Sequence, residues 1–120
     1  MTSRRWVFTV NNPSELLELD GWGVTACVYQ EEVGESGTHH LQGYVKFETS
    51  RRAAYVERVL GGHAHLEHAR GSHAECIEYC TKVDTRVGGP YWFPSEEDVR
   101  AEKQGRRTDL EEMCAAIKAG

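Results

Sequence analysis

Three short stretches hold the residues whose types and spacing could do chemistry. They are the pair Glu31–Glu32, the run "HHLQGYV" from His39 to Val45, and "EYCTK" from Glu78 to Lys82. In a strand, side chains two apart point to one face, so His40 and Gln42 project together while His39 and Leu41 point the other way. A carboxylate from the preceding strand would complete a set of carboxylate, imidazole and amide oxygen. Such a hard, oxygen-leaning set with open positions suits Mg²⁺ or Mn²⁺ better than Zn²⁺, which prefers sulfur and imidazole. The plain alternative is a polar strand end at the mouth of a hairpin.

On a helix, Tyr79 and Lys82 are three apart and share a face. A phenol with an unperturbed pKa of about 10 attacks poorly unless a cation stabilises its phenolate or its target. A metal can polarise a phosphoryl oxygen, and a lysine one turn away can steady the developing negative charge. The competing reading makes Tyr79 a packing residue and Lys82 a favourable charge at a helix C-terminus. The residues alone leave both readings open.

The elements that must position these groups follow from periodicity and punctuation. "RRWVFTVNN" alternates and is rich in β-branched and aromatic residues, so it is expected as a first strand ended by Asn-Asn-Pro. "SELLEL" could form one or two helical turns capped by Ser14. "VTACVYQEE" and "HLQGYVKFE" are the second and third strands, joined by "VGESGT", whose glycines suit a hairpin loop. "TSRRAAYVERVL" reads as an amphipathic helix with Ala53, Val56, Val59 and Leu60 on one side. "HAHLEHAR" is a short fourth strand, and Ser72 with Glu75 forms a capping box for a helix burying Cys76, Ile77 and Cys80. "GGPYWF" adds an edge strand. The expected class is α+β, a central antiparallel sheet of about five strands with flanking helices, of the RRM or ferredoxin-like kind. Alternation does not decide between Glu31 and Glu32, because Val28/Gln30 and Cys27/Tyr29 are equally plausible inner faces of the second strand.

"FTVNN" (Phe8 to Asn12), "HLQG" (His40 to Gly43) and "YCTK" (Tyr79 to Lys82), in that order and spacing, resemble the three rolling-circle motifs of a known family. They are similar to the replication initiator proteins, Rep, of circular single-stranded DNA viruses, with circoviruses and their relatives nearest in pattern. The resemblance covers residues 4 to about 92, and each motif alone is short. It implies an HUH endonuclease domain over residues 1–94, in which "HLQ" is a variant with glutamine in the second histidine's place. Residues 95–120 would be a linker and the start of an oligomerisation and helicase region. His40 and Gln42 would be metal ligands, with Glu32 as the third and Glu31 as the alternative to it. Tyr79 would be the nucleophile and Lys82 its positioning or charge-stabilising partner. Phe8, Thr9, Asn11 and Asn12 would belong to the motif linked to origin recognition, and Arg4, Arg5 and His65 are further candidates for DNA contact. The implied activity is metal-dependent nicking and joining of single-stranded DNA at a stem-loop replication origin through a 5′-phosphotyrosine bond. The resemblance also implies Mn²⁺ or Mg²⁺ as cofactor, host replication machinery as partner, oligomers only in the full-length protein, and the host nucleus as location. A non-catalytic RRM-like module that grips single-stranded nucleic acid is the rival reading. Trp6, Tyr44 and Trp92 could then stack on bases, or else pack in the core.

The totals set the frame. A chain of 120 residues supports one domain with a real core. No apolar run approaches the roughly 20 residues of a membrane span, and no signal-peptide pattern opens the chain, so an intracellular protein without membrane partners is expected. The four cysteines, Cys27, Cys76, Cys80 and Cys114, are expected to be reduced. His63, His65, His68 and His73 with Cys76 and Cys80 match none of the recurrent zinc spacings. The formal charge of −5 argues against coating nucleic acid by bulk electrostatics, but not against a small site that grips phosphates. No G-x-x-x-x-G-K-[ST] run occurs in the chain. The charged stretch after Pro94 carries another capping box, Thr108 with Glu111, before Leu110, Met113, Cys114 and Ile117.

Overall fold

The computed structural model describes residues 2–13 and 15–102. Five strands, β1 (Thr2–Asn11), β2 (Val24–Val33), β3 (His39–Arg52), β4 (Ala64–His68) and β5 (Arg86–Phe93), form one sheet in the order β4-β1-β3-β2-β5. All four pairings are antiparallel. Three helices flank it: α1 (Ala53–Val59), α2 (His73–Cys80) and α3 (Glu96–Ala101). This is the α+β, ferredoxin-like architecture expected from the alternation of strands and helices.

The sheet has two packed faces because its strands alternate. Trp6, Phe8 and Val10 of β1, Cys27 and Tyr29 of β2, and Leu41, Val45 and Phe47 of β3 join Val56, Val59 and Leu60 in one cluster on the α1 side. Ala26, Val28 and Tyr44 face the other way and pack with Cys76, Ile77, Cys80 and Val99. Gly43 lies under the Phe8 ring so closely that a Cβ would overlap it. Glycine is there for the close approach.

The helix expected over "SELLEL" does not form. Residues 15–20 run as irregular chain, and Ser14 lies outside the described residues. Leu19 is buried in the α1-side cluster, and the Leu17 N–H donates to the Tyr29 hydroxyl at 3.1 Å. So short a segment cannot repay the cost of helix nucleation when Leu19 reaches the core and Leu17 packs against it without a helix, while Leu16 stays exposed. The next helix is also shorter than expected. Thr49–Arg52 stay in β3, where Arg51 and Arg52 pair with Ser3 and Thr2, and Ala53 is exposed rather than turned inward. The capping box of α2 is present: the Ser72 hydroxyl accepts from the Glu75 N–H at 3.1 Å, and Glu75 accepts from the Ser72 N–H at 2.8 Å. Residues 95–101, assigned to the tail on composition, carry α3, capped by Ser95 and anchored by the fully buried Val99. Thr108, Glu111 and the apolar residues near them lie outside the described residues.

A polar chain fastens α2 and α3 to the sheet. The Arg5 guanidinium donates to the Gly71 carbonyl at 3.0 Å and to the Tyr44 hydroxyl at 3.4 Å. Tyr44 lies 2.8 Å from Nδ1 of His73, whose Nε2 is 2.7 Å from the Val99 carbonyl. A carbonyl only accepts, so Nε2 carries the proton and Nδ1 accepts from Tyr44. Burial pushes the His73 pKa below its ordinary value, the Lys46 and Arg5 charges act the same way, and the Val99 carbonyl and Glu102 pull against them.

Two outcomes follow from this packing. Gly43→Ala should lower stability by about 1–3 kcal/mol through overpacking against Phe8, read as a fall in the urea midpoint. His73 is held neutral, so the unfolded chain binds more protons below its own value of about 6.5. Its contribution is complete above that pH and is lost as pH falls toward the depressed folded value. The melting midpoint should therefore drop between pH 7 and pH 5, and His73→Gln should flatten that slope.

Candidate active site

Strand register builds the site as two rows across the sheet. In the first, His65 of β4, Thr9 of β1, Gln42 of β3 and Gln30 of β2 are neighbours. In the second, Asn11, His40, Glu32 and Arg86 are neighbours on β1, β3, β2 and β5. Both rows face α2, because Gln30 and Glu32 share the side of Ala26 and Val28, while His40 and Gln42 share that of Tyr44. Glu32 is thus the member of the glutamate pair on this face. Glu31 lies on the opposite face, where it accepts from the Tyr91 hydroxyl.

Glu32 is only 3% exposed, and four neighbours, His40, Gln30, Lys82 and Thr85, meet its carboxylate. His40 Nε2 stands 3.3 Å from Oε1, the Gln30 amide donates to Oε2 at 2.7 Å, and Lys82 Nζ is 3.3 Å from Oε2. Burial alone would raise the Glu32 pKa, but Gln30, the Lys82 ammonium and Thr85 together outweigh it and hold the carboxyl below its ordinary value. Gln42 Oε1 accepts from the Thr9 hydroxyl at 3.2 Å, and its nitrogen donates to the Phe8 carbonyl at 3.3 Å.

Tyr79 projects from the outer side of α2 and is 54% exposed. The Lys82 ammonium sits 4.4 Å from the centre of its ring, within the range of a cation–π contact. Lys82 therefore touches both the tyrosine and the carboxylate. Beside them runs a groove of about 340 Å³, lined by Thr9, Gln42, His65, Glu67, Arg70 and Tyr79 among others.

Among the described residues no three His, Cys, Asp or Glu side chains gather as a metal site. A three-donor set here needs the amide of Gln42 beside Glu32 and His40. Its chemistry fits a hard divalent cation: one ionised carboxylate, one imidazole, and an amide oxygen that keeps an unused lone pair beside its bond from Thr9.

The other predicted residues separate. Thr9, Asn11 and His65 lie on the α2 side, and the exposed His65 is 3.4 Å from Glu67. Asn12 is exposed with a left-handed φ of 51°, a conformation asparagine tolerates, and its N–H donates to the His39 carbonyl at 2.8 Å. Phe8 does not reach this surface: it is 1% exposed in the opposite core. Arg4 points to Phe8's side of β1 and donates to the Phe47 carbonyl at 3.3 Å, whereas Arg5 is spent on Gly71 and Tyr44. Trp6 and Tyr44 are buried and Trp92 packs under Arg100, so none of the three offers an open stacking face. Two residues escaped the sequence reading. Gln30 was visible only as an inner-face candidate, and Thr85 carried no signal.

An antiparallel α+β sheet thus carries a carboxylate, an imidazole and an amide on one face, with an exposed tyrosine on the helix beside them. Residues 3–83 match the family model described as "Putative viral replication protein", and the chain belongs to this family. It is 40% identical over 94% of its length to the "Master replication protein" of Subterranean clover stunt virus, covering 38% of that protein. It is 37% identical over 98% of its length to the "Replication-associated protein" of Goose circovirus, covering 39%. It is 41% identical over 75% of its length to the "Master replication protein" of Banana bunchy top virus, covering 31%. The chain thus spans less than half the length of these curated relatives. No helix among the described residues is long and apolar enough to cross a membrane.

Side chains sorted this way should behave differently on truncation. Phe8→Ala should cost about 3–5 kcal/mol of folding stability. Asn11→Ala, at an exposed position, should stay within about 0.5 kcal/mol of the parent in the same urea titration.

Proposed function

We propose that this chain nicks and rejoins single-stranded DNA at a viral replication origin, becoming joined to the DNA through a 5′-phosphotyrosine bond. The observation that carries this reading is the junction at Lys82, which touches the ring of an exposed tyrosine and the carboxylate of Glu32, on the sheet face that also carries His40 and Gln42. The family membership and the replication titles of the relatives support it.

Glu32, His40 and Gln42 would hold Mn²⁺ or Mg²⁺, which when bound polarises a phosphate oxygen of the scissile linkage. The groove beside Gln42 and Tyr79 takes the strand, with Thr9 and His65 offering polar contacts along it. The Tyr79 oxygen attacks phosphorus as its proton leaves to water. The bond from phosphorus to the 3′ oxygen breaks, and that oxygen takes up a proton as a free 3′-hydroxyl. Lys82 offsets negative charge as the phenol loses its proton. Later attack by a 3′-hydroxyl on the phosphotyrosine rejoins the strand. One phosphodiester is exchanged for another, so the joining step needs no ATP.

The test is a 3′-labelled stem-loop oligonucleotide carrying the origin, incubated with the chain and Mn²⁺ and resolved on denaturing gels. A protein-linked band is expected from the parent chain and should vanish in Tyr79→Phe and with EDTA. Lys82→Met should slow its appearance by about 10²–10³-fold. Binding without a covalent product under any divalent metal would refute the nickase and leave an RRM-like binding module.

A further inference from the structure

Gln30 is fully buried and is among the largest side chains in the protein with no exposed surface. An amide buried in this way is costly unless its hydrogen bonds are made. Its Nε2 makes two at 2.7 Å, one to Glu32 Oε2 and one to the main-chain carbonyl of Lys82. Both partners are acceptors that cannot donate, so the nitrogen must face them, and the orientation of the amide follows from its surroundings. Oε1 has no partner among the described residues. An apolar side chain would avoid that unpaired oxygen, but it could not make the two bonds.

Those bonds join β2 to Lys82 itself, whereas backbone bonding reaches that segment only three residues later, where the Val33 N–H donates to the Thr85 carbonyl at 3.1 Å. Glu32 lies on β2, while Lys82 lies just past the C-terminal end of α2, where carbonyls lack partners within the helix. One amide group therefore touches the strand that carries the carboxylate and the segment that follows Tyr79. It also fills the place in the row beside Gln42. Resting on the nicking reading above, we infer that Gln30 is a positioning residue, which orients Glu32 for the metal and sets the spacing between the metal-binding strands and the end of α2 that presents Tyr79 and Lys82. A residue one step removed from a ligand can matter nearly as much as the ligand, because the carboxylate must already point the right way when the ion arrives.

Gln30→Met tests this, since it keeps length and approximate volume and removes both donors. Measured below its melting midpoint, the variant should bind Mn²⁺ about 10–100-fold more weakly by calorimetry. Its single-turnover rate of adduct formation should fall by a similar factor, with affinity for the origin oligonucleotide unchanged within about twofold. A lower melting midpoint with parental Mn²⁺ affinity and parental rate would reduce Gln30 to a packing residue and overturn the inference. A measurement on the parent chain guards against a variant that does not fold. The side-chain NH₂ of Gln30 should exchange slowly with solvent and shift its resonances on Mg²⁺ addition. Rapid exchange with no response to Mg²⁺ would also overturn it. If the parent chain forms no adduct the nicking reading fails instead, and Mn²⁺ calorimetry still decides whether Gln30 orients Glu32.

Discussion

A carboxylate that is almost wholly buried and still ionised is the constraint on which the rest of the site depends. Removing Glu32 from water is expensive, and the folded chain must return that cost as hydrogen bonds and opposite charge. The compensation comes from Gln30 on the same strand, Lys82 beyond the end of α2 and Thr85 after it, with His40 on the neighbouring strand in contact. None of these groups is close to all the others in sequence. Satisfying one buried charge therefore draws the helix that carries Tyr79 against the strands that carry the candidate ligands.

The two faces of the sheet divide the remaining work. The α1 side is closed by aromatic and aliphatic packing, with Gly43 giving up a side chain so that the Phe8 ring can approach β3 closely. The α2 side is covered only in part. Cys76, Ile77, Cys80 and Val99 seal one portion of it, the Tyr44–His73–Val99 chain holds the two helices there, and the groove beside Thr9 and Gln42 stays open. A dry core on one side gives the strands a fixed register. That register in turn places two rows of polar side chains where the helices leave the sheet accessible.

Much of this is legible in the sequence. Strict alternation in β1, the glycine-bearing hairpin and the Ser72–Glu75 box each have a local cause. What needed three dimensions was parity. Cys27/Tyr29 and Val28/Gln30 were equally good inner faces because this sheet is covered on both sides, so apolar content could not reveal which face Glu32 shared with His40. "SELLEL" misled for a related reason: Leu17 and Leu19 answer to the core beneath them rather than to a helical period, and Leu16 is left exposed. Phe8 sits within a motif read as DNA-contacting, yet alternation puts it on the side opposite Thr9 and Asn11. Gln30 could not be identified at all, since nothing local distinguishes a glutamine that clamps a carboxylate from one that wets a surface.

The glutamine of "HLQ" also bears on charge. The formal charge of the chain is −5, an unpromising background for a polyanionic strand. Within the cluster the sum is different: Glu32 contributes one negative charge, Lys82 cancels it, and Gln42 adds none. A divalent ion held by such a set would keep nearly its full charge at the edge of the open groove, where it would attract phosphate. A second carboxylate at position 42 would bind the ion more tightly and give away that attraction. Under the proposed function, a neutral amide oxygen would trade ion affinity for pull on the substrate. On this argument, local positive potential need not come from an excess of lysine and arginine, and a net-acidic chain is compatible with the nicking proposed above.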